Sequence, residues 1–217
     1  MRVIAIDGPA GSGKSTVARA LAAHLGLQYL DTGAMYRSVA FAVLRSGGDP
    51  DDGDATAAVA RAVDLEIGLD RVSVDGVDAT VEIRGPQVSQ AVSVVAANPE
   101  VRAELVSRQR EWANLRGGGV LEGRDIGTVV FPDAELKIYL TADPAERARR
   151  RAKEVTDLEY EAVAADLARR DTIDSTRAAD PLTEADDAVV VDTTGMTIDE
   201  VVAAIAALLG DSSGGTP

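Results

Sequence analysis

Short apolar segments recur along the chain, and longer segments with apolar residues at helical spacing lie between them. The short segments are rich in Val, Ile and Leu, which is typical of buried parallel strands. Strands are therefore predicted at Val3–Asp7, Leu27–Leu30, Val120–Glu122, Leu136–Leu140 and Ala188–Val191. Strands that alternate with helices form an open parallel sheet, so the predicted fold class is α/β, a five-stranded parallel sheet with helices on both faces.

The helical segments carry their own start signals. Helices are predicted at Ser15–Leu25, Ala34–Arg45, Gln87–Ala97, Pro99–Leu115, Arg147–Arg170 and Thr197–Leu209. Asp143, followed by Pro144 and then Glu146, has the pattern of a capped helix start. Thr197 and Glu200 form a capping box at the last helix.

Two inserts interrupt the alternation of strands and helices. The first, at 46–115, opens with a polar loop at Ser46–Asp54 and continues into an alternating segment, Asp64–Arg84, whose Asp75-Gly76 pair indicates an antiparallel hairpin. The second, at 149–170, is highly charged and helical. The predicted core comprises 1–45, 116–148 and 171–210, and the tail at 211–217 is expected to be disordered.

Composition narrows the classes of function. With 36 acidic and 22 basic residues the net charge is −14, which argues against a protein that binds a DNA or RNA polymer, although a nucleotide site needs only a few local cations. The absence of Cys excludes thiolate zinc sites, and the single His24 excludes a multi-His metal site. No apolar run approaches the roughly 20 residues of a membrane span. The N-terminus does not resemble a signal peptide, so a cytoplasmic protein without membrane contact is expected.

A phosphate-binding loop follows the first strand. Residues 8–15 read GPAGSGKS, a full match to G-x-x-x-x-G-K-[ST] between a strand and a helix. Backbone N–H groups can wrap a phosphate chain only where side chains are small and φ is free, and the next helix points its N-terminal dipole at the anion. Lys14 would supply a cation to the β- and γ-phosphates, and the Ser15 hydroxyl would join the Mg²⁺ shell. The sequence thus predicts an ATP site formed by Gly8, Pro9, Ala10, Gly11, Ser12, Gly13, Lys14, Ser15 and Thr16.

The loop alone does not decide where the γ-phosphate goes. One class is a phosphotransferase acting on a small molecule, and the other is a P-loop switch, motor or regulatory ATPase. The chain lacks the Asn-Lys-x-Asp motif that reads guanine in switch GTPases. Arg37, Arg124 and Arg177 lie near the ends of predicted core elements or at an insert boundary, where side chains converge above the carboxyl ends of parallel strands. Each also fits a solvated surface arginine, but arginine is the better bidentate phosphate clamp, so the set favours transfer.

Further motifs run through nearly the whole chain after the phosphate loop. They are DTGAMYR (31–37), VDGVDATVEIRGPQVSQAVS (74–93), NPEVR (98–102), GRDIGTVVFPDA (123–134), KIYLTADPAERARRR (137–151) and RRDTIDSTRAADPLTEADDA (169–188). In this order they resemble the bacterial cytidylate kinases, within the nucleoside monophosphate kinase group. Two departures are visible: Thr32 stands where many relatives have Ser, and Glu122 stands where many have Asp.

The resemblance implies a core, a monophosphate-binding insert with a three-stranded sheet, and a short helical lid. It implies transfer of the γ-phosphate of ATP to CMP or dCMP, giving CDP or dCDP, with Mg²⁺ as cofactor. The acceptor phosphate oxygen is itself the nucleophile, so the reaction needs no general base. A monomer is expected for a kinase with hinged inserts.

The resemblance also implies roles for residues of the acceptor site. The acceptor phosphate would be held by Arg37, Arg124 and Arg177. The cytosine would be read by Ser93, Arg102 and Asp125. The phosphate or its sugar would be met by Thr32, Arg170 and Asp174. Asp125 has an alternative role, in which it only pins Arg124 or contacts the Mg²⁺ waters.

The lid carries the last group of candidate residues. Arg147, Arg150 and Arg151 would swing over the transferring phosphoryl group, although ERARRRAKE, residues 146–154, also fits a solvated helix face. Arg149 is expected to be a surface residue. The predicted catalytic residues are Lys14, Arg124, Arg150 and Arg177.

Overall fold

The first strand lies at the centre of a five-stranded parallel sheet, which gives the α/β fold that the pattern predicts. The computed structural model describes residues 1–154 and 159–211. The strands of the main sheet are β1 (Arg2–Asp7), β2 (Tyr29–Asp31), β6 (Gly118–Gly123), β7 (Leu136–Thr141) and β8 (Val189–Asp192), in the order β2-β6-β1-β7-β8. A second, antiparallel sheet contains β3 (Leu65–Ile67), β4 (Val72–Val74) and β5 (Val77–Asp78).

Helices cover both faces of the main sheet. They are α1 (Lys14–Leu25), α2 (Thr32–Arg45), α3 (Gly53–Ala62), α4 (Pro86–Ala97), α5 (Pro99–Arg116), α6 (Pro144–Glu154), α7 (Tyr160–Thr176) and α8 (Ile198–Asp211). Alternate residues of β1 point to opposite faces: Ile4 and Ile6 pack with α1 and α8, whereas Val3 and Ala5 pack in the core that contains α2 and α5. In the described part of the chain, no helix combines the length and the apolar character needed to cross a membrane.

The register of the central strands brings two loops to the same edge of the sheet. β1 pairs in parallel with β6, with Asp7 opposite Gly123, and β2 pairs with β6, with Asp31 opposite Glu122. The phosphate loop follows Asp7, and Arg124 follows Gly123. Both therefore emerge at the carboxyl edge, where ligands of open α/β sheets bind.

The antiparallel insert follows the predicted hairpin but is shorter than its alternating pattern. Asp75 and Gly76 have φ values of 50° and 75°, as a tight hairpin turn requires. The strand pattern at 81–83 does not form a strand, because the Thr80 hydroxyl accepts the Val72 N–H at 3.0 Å and ends the pairing. The chain then turns into a short 3₁₀ helix, Glu82–Arg84.

Several boundaries differ from the prediction for local reasons. β2 begins at Tyr29 rather than Leu27, because the Leu27 N–H closes the end of α1 on the Ala22 carbonyl at 2.9 Å. The predicted polar loop at 46–54 ends in a helix that the sequence analysis missed, α3, which is capped by the Asp52 side chain. The predicted capping box is confirmed, since Thr197 and Glu200 exchange hydrogen bonds.

The prediction that the last strand is buried is wrong. β8 lies at an edge of the sheet, and Val190 is 48% exposed. An apolar run of this length indicates a strand but not its place in a sheet, because a central and an edge strand share that pattern.

The charged helical segment predicted at 147–170 is divided into α6 and α7. Residues 155–158, and the part of the predicted tail beyond Asp211, lie outside the described residues. The two helices pack through Ala148, Val163 and Leu167 against Ala10 of the phosphate loop. α6 and α7, which contain the segment predicted as a lid, therefore rest directly on the loop that precedes α1.

We expect Gly118→Ala to lower the free energy of unfolding by more than about 3 kcal/mol, at the upper end of overpacking costs. A Cβ at this position, where φ is 123°, would lie 1.9 Å from the Arg2 carbonyl oxygen and force β1 from β6. Gly117→Ala is the matched control, because φ is 73° there and nothing lies within 4 Å. It should cost only about 1–2 kcal/mol. Denaturant unfolding measures both losses, and equal values would contradict the role of this close approach.

Candidate active site

The phosphate loop adopts a backbone conformation that requires glycine at its first position. Gly8 has a φ of 147°, and a Cβ there would lie 2.0 Å from the Leu140 carbonyl oxygen. The Lys14 ammonium group donates to the Pro9 carbonyl oxygen at 2.7 Å. Burial, together with the charge of Arg124, lowers the pKa of Lys14 to about 7, against the opposing effects of Glu122 and Asp7. An anionic ligand in the loop would restore the preference for the charged form.

A cleft with a volume of about 1220 Å³ extends from this loop. Its walls include all of the residues predicted for the acceptor site: Thr32, Arg37, Ser93, Arg102, Arg124, Asp125, Arg170, Asp174 and Arg177. From the predicted ATP site, Ala10, Gly11, Ser12, Gly13, Lys14, Ser15 and Thr16 line the same cleft. Gly8 and Pro9 form the base of the loop and do not line it.

Arg37 and Arg170 form an electropositive part of the cleft. Both are buried, and among the described residues neither makes a salt bridge. Arg37 donates to the Ile83 carbonyl at 3.1 Å and to the Ser89 hydroxyl at 3.0 Å, and burial together with the charges of Arg170 and Arg151 lowers its pKa to about 9. The Arg170 Nε is buried without a hydrogen-bond partner. Such groups favour a bound anion.

Arg124 is held by a carboxylate. Its Nε donates to Asp174 at 2.8 Å. Burial alone would lower the pKa of Arg124, but the charge and hydrogen bond of Asp174, with contributions from Asp171 and Glu122, raise it above its ordinary value. Arg124 therefore stays charged and oriented before any ligand enters.

A second ion-pair network surrounds Asp125. Arg102 is only 2% exposed and donates from Nη2 to the Asp125 carboxylate, and the Arg177 Nη2 lies 3.7 Å from Asp125 Oδ1. Burial raises the pKa of Asp125 against the opposing charges of both arginines. Ser93, also buried, lines the same cleft. The structure thus pairs Asp125 with Arg102 rather than with Arg124, and it places the Ser93 hydroxyl in the same cleft.

Oxygen atoms converge beside the start of α1. The Tyr29 hydroxyl donates to the Glu122 carboxylate at 2.6 Å, and the Thr32 hydroxyl donates to the Glu122 carbonyl at 2.6 Å. Burial and the charge of Asp31 raise the pKa of Glu122, against the opposing charge of Lys14 and a hydrogen bond from the Ser15 side chain. Ser15 therefore lies next to acidic groups at the end of the phosphate loop.

The arginines of α6 that were predicted to act in a lid have different surroundings. Arg150 donates to the Ser12 carbonyl at 3.2 Å and to the Thr193 hydroxyl at 2.8 Å, and both Arg150 and Arg151 line the cleft. Arg147 does not line it, because its guanidinium group binds Asp171 and donates to the Ala10 carbonyl at 3.0 Å. Arg149 lies on the exposed face of α6 and pairs with Glu146.

Several residues that the sequence analysis missed belong to this region. Thr193 bonds Arg150, and Met196 and Ile198 line the cleft beside the phosphate loop. Asp7 accepts the Ile126 and Gly127 N–H groups at 2.8 and 2.7 Å. Its position directly before the phosphate loop was the one available signal. Nothing in the local sequence indicates the partners of the others.

Comparison with known proteins identifies the family to which the chain belongs. The family model described as cytidylate kinase matches residues 4–210. The chain is similar to the cytidylate kinase of Mycobacterium avium, with 53% identity over 209 residues that cover 92% of this chain and 91% of that protein. It is also similar to the cytidylate kinase of Pelotomaculum thermopropionicum, with 51% identity and 94% of each chain covered.

Solved structures support the fold at much lower identity. An uncharacterised protein from Eubacterium ventriosum matches with a TM-score of 0.56 and 12% identity, over 97% of this chain and 99% of that one. A gluconokinase from Sinorhizobium meliloti matches with a TM-score of 0.50 and 14% identity, over 98% and 95% of the two chains. Because the family match and relatives that share half of the sequence both span nearly the entire chain, this protein belongs to the cytidylate kinase family and is a kinase.

Proposed function

We propose that the enzyme transfers the γ-phosphoryl group of ATP to CMP or dCMP and releases ADP with CDP or dCDP. The observation that carries this proposal is the arrangement along one cleft. The phosphate loop forms one part of the wall of this cleft, and the same wall contains the ion-paired Asp125 and Arg102. It also contains Arg37 and Arg170, which make no salt bridge among the described residues. A donor polyphosphate and an acceptor that carries both a base and a phosphate fit this combination.

The chemistry of the base favours cytosine. Cytosine presents an amino donor at C4 and acceptors at N3 and O2, whereas uracil presents an acceptor at C4 and a donor at N3. A carboxylate near C4 and an arginine near N3 and O2 therefore attract cytosine and repel uracil. Asp125 and Arg102 supply this pair, and their burial strengthens the discrimination, because a wrong base would leave buried groups unpaired.

The reaction requires charge cancellation and alignment rather than proton abstraction. An oxygen of the acceptor phosphate forms a bond to the γ-phosphorus while the bond to the oxygen that bridges to the β-phosphate breaks. Both substrates are anionic, so cations must offset their repulsion. We assign Lys14 to the donor phosphates, Arg37, Arg124 and Arg177 to the acceptor phosphate, and Arg150 to the transferring group. Thr32, Arg170 and Asp174 would complete the contacts to phosphate and sugar.

The site also suits Mg²⁺. Ser15, with the neighbouring Glu122 and Asp31 carboxylates, offers the oxygen ligands that Mg²⁺ prefers, directly or through water. Among the described residues there is no cluster of three or more potential metal-binding side chains. Mg²⁺ is commonly held by one or two carboxylates together with substrate phosphates and water. When bound, Mg²⁺ would neutralise charge on the β- and γ-phosphates.

Water must be kept from the γ-phosphate, or ATP would be hydrolysed. We propose that the insert at 46–115 and the lid at 149–170 close over the core when both substrates are present. The contacts of Arg150 with Ser12 and Thr193 support a lid that acts directly on the phosphate loop. We expect a monomer that acts in the cytoplasm, with neither a nucleic-acid polymer nor a membrane as partner.

A coupled assay of ADP release with ATP and a panel of nucleoside monophosphates tests the function. ADP release should be slow without an acceptor, and CMP and dCMP should accelerate it strongly with CDP and dCDP as products. AMP, GMP and UMP should accelerate it much less. Fast hydrolysis that is indifferent to every monophosphate would instead place the protein among the P-loop ATPases.

Replacement of Lys14 by Ala tests the donor site. We expect kcat to fall by about 10²–10⁴-fold, because the lost charge matters most as the γ-phosphoryl group leaves. Steady-state kinetics at saturating ATP and CMP measures the change. Unchanged CMP binding and an unchanged unfolding midpoint serve as controls for the fold. Near-normal turnover by a folded variant would contradict the assigned role of this loop.

Replacement of Asp125 by Asn tests the base site. The ratio of kcat/KM for CMP to that for UMP should fall about tenfold or more, since an amide no longer prefers the cytosine amino group. Asp174→Asn is the matched control, because Asp174 pairs with Arg124. This substitution should lower kcat/KM for CMP and for UMP by the same factor. If Asp125→Asn lowers kcat/KM for CMP and for UMP by the same factor, Asp125 does not read the base and only supports its arginines or the Mg²⁺ waters.

A further inference from the structure

Asp180 has a backbone conformation that its sequence disfavours. It lies after α7 and directly before Pro181, and its φ is 47°. Left-handed conformations are uncommon for residues other than glycine, and a following proline restricts the preceding residue further. Asp75, the other described non-glycine residue with positive φ, lies in a hairpin turn that requires this conformation. Asp180 lies in no hairpin, so other contacts must hold it there.

Those contacts join two arginines of the cleft. The Asp180 carboxylate accepts from the Arg102 Nε at 2.7 Å. Its backbone carbonyl accepts from the Arg177 Nε at 2.8 Å and also from Nη2 of the same side chain. The Leu182 N–H donates to the Asp174 carbonyl at 2.8 Å and closes the segment back onto α7. One residue therefore orients both Arg102 and Arg177.

The bond to Nε decides how Arg102 can meet Asp125. A carboxylate can bind arginine side-on through Nε and Nη2 as a bidentate pair. Asp180 occupies Nε, so Asp125 can take only Nη2 from that edge. The Ala96 carbonyl accepts from Nη1 at 3.3 Å. Two of the five guanidinium N–H groups of Arg102 then remain for a ligand. Asp125 does not form a side-on bidentate pair with Arg102, so its carboxylate also keeps acceptor capacity for a ligand.

Asp180 acts through these arginines rather than on the substrate. Its side chain is 35% exposed and is not among the described residues that line the cleft, whereas Arg102 and Arg177 both line it. Resting on the function proposed above, we infer that Asp180 is a positioning residue for base selection. It holds Arg102 so that both Arg102 and Asp125 keep polar atoms available to cytosine.

A graded pair of variants tests this inference. Asp180→Gly keeps the left-handed backbone and removes the carboxylate, and Asp180→Asn keeps that backbone and a weaker, neutral acceptor. We expect Asp180→Gly to raise KM for CMP about tenfold and to lower the CMP-to-UMP ratio of kcat/KM by a similar factor. Asp180→Asn should lower the ratio about threefold. KM for ATP, and kcat at saturating CMP, should stay within about twofold of the original values.

Asp75→Gly is the matched control, with the same residue type and sign of φ but a position in the insert hairpin. Its CMP-to-UMP ratio should not change. An unchanged ratio in both Asp180 variants, or equal losses of kcat for CMP and UMP, would overturn the inference. If Asp180→Gly does not fold, the CMP-to-UMP ratio of kcat/KM for Asp180→Asn alone decides whether the inference holds. An original enzyme without preference for CMP would instead overturn the proposed function.

Discussion

The buried carboxylate of Asp7 connects the two loops on which the cleft depends. It accepts the N–H groups of Ile126 and Gly127, and the chain runs from Asp7 directly into the phosphate loop. Ile126 follows Arg124 and Asp125, so the residue before the phosphate loop also fixes the turn that presents these two residues of the proposed acceptor site. Burial outweighs the two hydrogen bonds and raises the pKa of Asp7 to about 6. Neutralising this carboxylate would therefore weaken both loops at once.

The chain has a net charge of −14, but several arginines line the cleft, where anionic substrates would bind. Arg102 and Arg124 are neutralised by Asp125 and Asp174, which orient their guanidinium groups without leaving excess charge. Arg37 has no such partner among the described residues, although it is buried. A buried charge without a counter-charge is costly, so the cleft gains most when a phosphate enters. The cleft thus contains both arginines that carboxylates orient and a buried arginine without such a partner among the described residues.

The parts that the sequence predicted correctly depend on local patterns. The Asp75-Gly76 turn and the capping box of Thr197 and Glu200 each lie within a few residues and form through local contacts. The phosphate loop is recognised from eight consecutive residues, although a tertiary contact, the Ala10 N–H donating to Asp171, also holds it. The residues predicted for the acceptor site come from separate elements that line one cleft, and the family resemblance, rather than any periodicity, supplied them. The role of Asp180 could not be predicted, because Asp180 lies in the segment after α7 and its partner Arg102 is 78 residues away on α5. The edge position of β8 could not be predicted, because an apolar run does not indicate the order of strands in a sheet.

The strand register also sets when the fold can form. Arg2 pairs with Gly118, and Ile4 pairs with Leu136, so β1 finds both of its neighbours only after more than a hundred further residues have been synthesised. Until then its apolar residues lack their sheet, and the phosphate loop lacks the turn that Asp7 binds. Non-local pairing of this kind slows folding and leaves apolar segments open to association with other chains. Burial of the apolar residues of β1 must therefore wait until both β6 and β7 have been synthesised.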